Sequence, residues 1–265
     1  MPIRKGRIDT TRGEMAWLEA GSGWPVILLH AFPLTSEMWR PQLDAVPAGW
    51  RFVAPDFRGF GDGPPVRGPV SMDDYATDVR ELMDRLGIAK ATIGGLSMGG
   101  YVTFAIFRQA PLRVTGMILA DTRPQADTAK GREARVQMRA LLAEKGAGGV
   151  AAEMLPKLLS PGADRQTVDA VRATIASADA AGIDAAIGAL MERPDSTGDL
   201  ARIACATLVA VGEADTITPV ADAEGMQHAI ARSTLAVIPG AGHLSNLEQP
   251  AAFSLALQDF LRSAL

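Results

Sequence analysis

The sequence has almost no cysteine, few aromatic residues and no long uninterrupted hydrophobic run. A single cysteine, Cys205, in 265 residues excludes an internal disulfide, and its neighbours IACATLVAV predict a small, buried, unreactive side chain. No apolar run has the length of a membrane helix, and the first residues, MPIRKGRIDT, lack the uncharged apolar stretch of a signal peptide. We therefore expect a soluble cytoplasmic protein with no membrane partner.

The charge balance and the scarcity of histidine exclude two further classes of protein. Lys and Arg total 26 against 30 Asp and Glu, so the net charge of −4 offers no basic surface for nucleic acid. The three histidines are scattered without the spacing of metal ligands, so we expect no metal site and no cofactor. Hydrophobic residues at 48% and charged residues at 21% are typical of a globular domain with a full core.

Short apolar runs alternate with amphipathic stretches along most of the chain. The runs of strand length are VILLHA (26–31), RFVAPD (51–56), KATIGGLS (90–97), VTGMILAD (114–121), ATLVAVGEAD (206–215) and STLAVIPGAG (233–242). The segments between them have apolar residues every three or four positions, as amphipathic helices do. This alternation predicts an α/β fold with a mostly parallel, twisted sheet and helices on both faces, and the first twenty residues predict an edge hairpin.

The strand pattern stops for one long segment, which divides the predicted domain. Residues 122–198 are rich in alanine and contain only helical patterns, such as GREARVQMRALLAEK and RQTVDAVRATIASA. An insertion between strands lies above the carboxyl ends of the sheet, where open α/β proteins bind ligands. We therefore predict a core of residues 1–121 and 199–265 and a helical lid of residues 122–198.

The segment GGLSMGG places one serine, Ser97, among four glycines at the end of a predicted strand and the start of a helix. Gly95 to Gly99 match G-x-S-x-G, a tight turn that exposes a nucleophilic serine at the edge of a sheet. A glycine loop that binds phosphate is the alternative, but the segment has neither the order G-x-G-x-x-G nor the lysine of a P-loop. We predict that Ser97 is a nucleophile.

A nucleophilic serine needs a histidine base and a carboxylate that orients the base. His30 closes an early strand and His228 lies within a helix, so both are expected to be structural, whereas His243 lies in a loop after the last predicted strand. Asp215 ends a strand and precedes His243, which gives the chain order Ser, Asp, His. Asp121, at another strand end, is the alternative acid.

Five segments together resemble the α/β-hydrolase superfamily: HAFPLTSEMW, DFRGFGDG, GLSMGG, GEADTITP and GAGHLSNLEQP. Within it the chain is most similar to small serine esterases, 3-oxoadipate enol-lactonases and cofactor-free haloperoxidases or perhydrolases. The resemblance implies the α/β-hydrolase fold, a Ser97, His243, Asp215 triad and an oxyanion hole formed by the backbone N–H groups of Phe32 and Met98. Ala31 stands where the family usually has glycine after the histidine.

The same resemblance implies a small-molecule ester or lactone as the substrate, cleaved through an acyl-enzyme. We expect apolar side chains to line its pocket and to select small to medium acyl groups: Phe32, Met98, Met138, Met191, Ile217 and Leu244. Pro33 after Phe32 also occurs in perhydrolases, so peracid formation is an alternative activity. Carbon–carbon bond hydrolysis and a ligand-binding receptor that retains the triad remain open, whereas Ser97 excludes a dehalogenase, which needs aspartate there.

Two charged features have a structural interpretation. The turn from Asp56 to Gly61 is expected to support the site, with its carboxylate paired to nearby backbone or to Arg58. Arg132, Arg135 and Arg139 lie on one side of a predicted helix, where they could face an acidic carrier or a coenzyme A thioester. A solvated helix face is the favoured interpretation.

Overall fold

A computed structural model describes residues 2–263 and contains one sheet of eight strands. The strands are β1 (Arg4–Thr10), β2 (Gly13–Gly21), β3 (Trp24–Leu29), β4 (Trp50–Pro55), β5 (Ala91–Leu96), β6 (Val114–Ala120), β7 (Ala206–Gly212) and β8 (Ser233–Ile238). Their order across the sheet is β1-β2-β4-β3-β5-β6-β7-β8. β1 and β2 form the predicted antiparallel hairpin, β2 pairs antiparallel with β4, and the remaining pairs are parallel. The predicted fold class is confirmed.

Seven helices lie between strands of the described chain, as the alternating pattern predicts, and two follow the last strand. They are α1 (Arg40–Asp44), α2 (Met72–Arg85), α3 (Met98–Gln109), α4 (Ala129–Leu158), α5 (Arg165–Ala176), α6 (Ala180–Met191), α7 (Val220–Ala229), α8 (Ser245–Glu248) and α9 (Pro250–Ser263). Helix α3 is buried along most of its length and contacts β3, β5 and β6. Because β5 lies in the middle of the sheet, its carboxyl end is surrounded by the other strand ends.

Helices α4, α5 and α6 occupy the long segment between β6 and β7. Helix α4 is broken at Gly146, whose φ is 63°. Arg193, which follows α6, forms a buried ion pair of 2.6 Å with Asp127, which precedes α4. The Arg193 guanidinium also lies 4.3 Å from the ring centre of Tyr101 in α3. These contacts join the end of the long segment to its beginning and to α3. The division into a core and a lid stays a prediction.

Two expectations from composition can be compared with the fold. Among the described residues, no single helix is long and apolar enough to cross a membrane, and only the pair α5 and α6, bent by 96°, reaches that length and hydropathy together. Cys205 is half-buried rather than fully buried, because it precedes β7 instead of lying inside it. Burial nevertheless raises the pKa of its thiol, which lowers the thiolate fraction.

Candidate active site

Ser97 stands in the tight turn between β5 and α3 with a φ of 55°, a left-handed conformation that is costly for serine. The backbone around it holds this conformation. Its N–H donates to the Ala120 carbonyl at 2.9 Å, and its own carbonyl accepts from Gly100 N–H and from the Thr122 hydroxyl, each at 2.9 Å. The Ser97 side chain makes no capping hydrogen bond to α3. The hydroxyl is therefore available for chemistry while the main chain is fixed.

The glycines beside Ser97 let the strand and the helix approach each other. A Cβ on Gly95 would lie 2.3 Å from the Gly99 carbonyl carbon, and a Cβ on Gly99 would lie 2.2 Å from the Leu29 carbonyl oxygen. Both contacts are with backbone, which cannot move aside as a flexible side chain can. The need for glycine here is steric.

We expect Gly95→Ala to lower the free energy of unfolding by about 3 kcal/mol or more, because α3 must move away from β5 to admit one methyl group. Chemical unfolding followed by circular dichroism measures this. The matched control is Gly148→Ala on the exposed side of α4, where a Cβ meets nothing within 4 Å. There alanine should raise stability by up to about 1 kcal/mol. Equal effects of the two substitutions would contradict the steric explanation.

His243 and Asp215 lie in contact in the loops that follow β8 and β7. His243 Nδ1 is 2.8 Å from Asp215 Oδ2, and the imidazole is almost completely buried. Oδ2 also accepts a hydrogen bond of 2.5 Å from the Thr218 hydroxyl. Oδ1 accepts backbone N–H bonds from Ile217 and Thr218 at 2.8 and 3.0 Å. Each carboxylate oxygen of Asp215 therefore accepts two hydrogen bonds.

These contacts keep Asp215 ionised. Burial acts to raise its pKa, but the hydrogen bonds from His243 and Thr218 outweigh burial, and the pKa of the carboxyl lies below its usual value. An ionised carboxylate accepts from His243 Nδ1–H, which leaves Nε2 as the unprotonated nitrogen. The imidazole is thus held in the tautomer that a general base requires.

The third predicted partner lies at the same edge of the sheet. Ser97 follows β5, Asp215 follows β7, and β6 separates these strands. Within residues 2–263 no hydrogen bond of standard length joins the Ser97 hydroxyl to His243. Such contacts are often long in a free enzyme and shorten when substrate binds.

Asp121, the alternative acid, makes other contacts. It is completely buried at the end of β6, and its carboxyl oxygens accept from Gly212 N–H at 2.7 Å and from the Ser245 hydroxyl. Burial, followed by the charge of Asp215, raises the pKa of Asp121 well above its usual value. Asp215, and not Asp121, contacts His243.

The backbone N–H groups of Phe32 and Met98 point to no partner within the part of the chain that the structure describes. They follow β3 and β5, which are paired neighbours with Leu29 opposite Gly95. Met98 is the first residue of α3, where the helix dipole is positive. The two donors are therefore free at one edge of the sheet.

His30 and His228 have structural surroundings, as expected from the sequence. Fully buried His30 accepts from Phe57 N–H at Nε2 over 3.0 Å, and its Nδ1 lies 2.9 Å from the Ala31 carbonyl. His30 thereby fixes the loop that carries Phe32. His228 is exposed on α7, and its Nδ1 lies 2.7 Å from the Glu224 carbonyl.

Burial lowers the pKa of His30 from 6.5 to about 4. The unfolded chain takes up a proton near the ordinary value, whereas the folded protein resists it until about pH 4, so the free energy of unfolding falls as pH decreases through this window. The contribution of His30 should fall by roughly 2 kcal/mol between about pH 7.5 and about pH 5, and by roughly 3 kcal/mol once the pH reaches about 4. Urea unfolding at about pH 7.5 and about pH 5 measures it. His30→Gln should flatten the dependence, whereas the exposed control His228→Gln should leave it unchanged.

The six predicted pocket residues have different exposures. Met98 and Leu244 are fully buried, Phe32 is buried against Phe60, and half-buried positions are taken by Ile217, Met138 and Met191. The Leu244 main chain also donates to the Leu158 carbonyl at 3.1 Å. Their contact with substrate stays a prediction.

The charged features from the sequence are engaged in the fold. Asp56 accepts backbone N–H bonds from Ser36 and Asp62, while Arg58 pairs with Asp78. On α4, Arg135 pairs with Asp127 and Arg139 with Asp184, whereas Arg132 is exposed to solvent. Two of the three guanidinium groups are thus occupied by carboxylates of this chain, which favours the structural interpretation over a carrier-binding surface. The described residues contain no group of three or more His, Cys, Asp or Glu placed to hold a metal ion.

Sequence reasoning missed Thr218 and Glu248. The Glu248 carboxylate accepts from Gly242 N–H and from Ser160 N–H, each at 2.8 Å, and so joins the His243 loop to the end of α4. Glu248 lies within GAGHLSNLEQP, but its partner Ser160 is distant in the sequence. Thr218 lies three residues after Asp215. An aspartate side chain commonly accepts hydrogen bonds from the turn that follows it, so this spacing was a sequence signal for the contact with Thr218.

Comparison with known proteins identifies the family of the chain. The model of the alpha/beta hydrolase family matches residues 26–256. A 3-oxoadipate enol-lactonase of Acinetobacter baylyi is 32% identical over 240 residues, which cover 89% of this chain and 88% of the relative. A non-heme chloroperoxidase of Kitasatospora aureofaciens is 38% identical over 96 residues, 35% of each chain.

A solved structure is similar over nearly the whole length. The thermophilic esterase from Thermogutta terrifontis, with malate bound, has a TM-score of 0.93 and 37% identity, covering 98% of this chain and 99% of the esterase. The family match spans most of the sequence and includes the turn at Ser97 and the loop of His243. The chain therefore belongs to the alpha/beta hydrolase family.

Proposed function

We propose that this hydrolase cleaves carboxylic esters or lactones of small to medium acyl groups through an acyl-enzyme on Ser97. The observation that carries the proposal is the buried contact of 2.8 Å between His243 Nδ1 and the Asp215 carboxylate, at the sheet edge that also holds Ser97. A buried imidazole oriented by an ionised carboxylate is the base that a serine hydroxyl requires.

In the first half of the reaction, Ser97 Oγ attacks the ester carbonyl and His243 Nε2 takes the hydroxyl proton. The tetrahedral intermediate collapses, and the leaving alkoxide takes that proton from His243. Asp215 stabilises the imidazolium that forms between these steps. In the second half, water attacks the acyl-enzyme, His243 again takes and returns the proton, and Ser97 is released with the carboxylic acid.

The oxyanion formed in both halves needs two donors in place before reaction. We assign this role to the N–H groups of Phe32 and Met98, which have no hydrogen-bond partner among the described residues, and the N-terminal end of α3 adds a positive dipole. Because His30 and Thr122 fix the two backbone segments, the donors do not have to reorganise during catalysis.

The apolar side chains that we assign to the pocket favour an uncharged acyl group. Phe32, Ile217, Met138 and Met191 are the half-buried or buried residues that we assign to the pocket. The names of two relatives that match most of the chain, an enol-lactonase and an esterase, support esters and lactones as the substrate class.

A substrate series tests this proposal. We expect purified enzyme to hydrolyse para-nitrophenyl acetate and butyrate and simple lactones, and to lose activity in proportion to its labelling by a fluorophosphonate. A thermal shift with these compounds but no turnover would instead indicate a ligand-binding receptor. Cleavage of carbon–carbon bonds alone would indicate the other hydrolase class.

Peracid formation is the second candidate activity. It is favoured by Pro33 directly after Phe32 and by the local match to a non-heme chloroperoxidase. Hydrogen peroxide would replace water: its oxygen attacks the acyl-enzyme carbonyl, His243 takes the proton, and Ser97 leaves with that proton as the peracid is released. Peracid yield from acetate and peroxide no higher than that of Ser97→Ala would exclude it.

A further inference from the structure

Asp121 is a fully buried carboxyl group that the proposed mechanism does not use. It lies directly after β6, between the strand ends that carry Ser97 and Asp215. Its φ of 43° is in the left-handed region, which aspartate and asparagine tolerate better than other side chains but which still costs free energy. Because the backbone strain and the burial of Asp121 both cost free energy, we ask what its side chain does at this position.

The two carboxyl oxygens of Asp121 connect two separate segments. Oδ1 accepts from Gly212 N–H at 2.7 Å, three residues before Asp215, and Oδ2 accepts from the Ser245 hydroxyl, two residues after His243. The Asp121 N–H donates to the Ala210 carbonyl of β7 at 2.9 Å. The Asp121 side chain therefore contacts the backbone shortly before Asp215 and the side chain of Ser245 shortly after His243.

The neighbours of Asp121 in sequence hold the nucleophile in the same way. The Ala120 carbonyl accepts from Ser97 N–H, and the Thr122 hydroxyl donates to the Ser97 carbonyl, each at 2.9 Å. Three consecutive residues thus contact the segments of all three predicted triad members.

We propose that Asp121 is a positioning residue, which sets the distance of the Asp215–His243 pair from Ser97 by bridging Gly212 and Ser245. The inference rests on the proposed function. Burial beside Asp215 and Glu248 raises the pKa of Asp121, so a neutral group suits the site, and asparagine is the natural substitute. Its amide oxygen accepts from Gly212 N–H and its amide nitrogen donates to the Ser245 oxygen.

The test compares three variants by kcat and KM on para-nitrophenyl butyrate, with active sites counted by fluorophosphonate titration. Asp121→Gly removes the carboxyl but accepts the positive φ, and it should lower kcat by about 100-fold with KM nearly unchanged, because misplacement of about 1 Å has this effect. Asp121→Asn should restore kcat to near the wild-type value. Ser245→Ala removes one bridge alone and should lower kcat less than Asp121→Gly does.

Several outcomes overturn the inference. A wild-type kcat in folded Asp121→Gly, with only the melting temperature lowered, would show a purely structural role, and an equal loss in Asp121→Asn would show that the hydrogen bonds are not responsible. If Asp121→Gly does not fold, an unchanged kcat in Ser245→Ala overturns it. Ser97→Ala separates the two proposals. If Ser97→Ala is active, the proposed function is rejected. If Ser97→Ala is inactive while Ser245→Ala and Asp121→Gly are fully active, only this inference is rejected.

Discussion

Ser97→Ala should lower kcat for ester hydrolysis by about 10⁴-fold or more, because the members of a triad act as one unit. The fold should be unchanged, since the Ser97 hydroxyl caps no helix and its removal leaves no buried group without a partner. The turn is held by main-chain bonds to Ala120 and Gly100, which alanine keeps. Initial rates with para-nitrophenyl butyrate and thermal unfolding of the same preparations measure the two effects.

Two controls make the Ser97 prediction specific. Fluorophosphonate labelling should disappear in Ser97→Ala, because no other side chain should be activated to the same degree. The double variant Ser97→Ala, His243→Ala should be no slower than Ser97→Ala, since the base has no hydroxyl left to activate. A Ser97→Ala enzyme that is labelled and turns over substrate like the wild type would contradict the assignment of the nucleophile.

The sequence predicts much of this fold because its strands are short apolar runs bounded by turn residues. The parallel strands carry β-branched and aliphatic residues on both faces, which indicates burial under helices. Ser97, Asp215 and His243 are recognisable because each follows such a run, and strand ends meet at one edge of a parallel sheet. Cys205 shows the limit, since its burial depends on where β7 begins.

The supporting contacts could not be predicted in the same way. Asp121 meets Ser245 across 124 positions, and Glu248 meets Ser160 across 88. Such pairs leave no periodic trace in the sequence, because they depend on strand order and loop conformation. The same limit applies to the choice of acid. Asp121 and Asp215 both follow strands, and only in the folded structure do Thr218 and two backbone N–H groups hold Asp215 against His243.

Asp215→Asn should lower kcat by about 10⁴-fold with little change in KM, and the contacts of Asp215 give the reason. Oδ1 accepts two backbone N–H groups, from Ile217 and Thr218, so the amide oxygen of asparagine must take that position. The amide nitrogen then faces His243 Nδ1 and donates to it. The imidazole must carry its proton on Nε2, where it cannot accept the proton of Ser97.

Asp164→Asn is the matched control for this substitution. Asp164 also accepts from the N–H and the hydroxyl of a threonine three residues later, Thr167, at 2.9 and 2.6 Å, but it lies exposed at the start of α5 without a histidine. Kinetic constants with para-nitrophenyl butyrate should be unchanged there. Because the two variants remove the same charge from the same local hydrogen-bond pattern, the difference between them isolates the effect on the imidazole. If Asp215→Asn kept the wild-type kcat, His243 would have to obtain its tautomer from another group, and the acid in the proposed mechanism would be wrong.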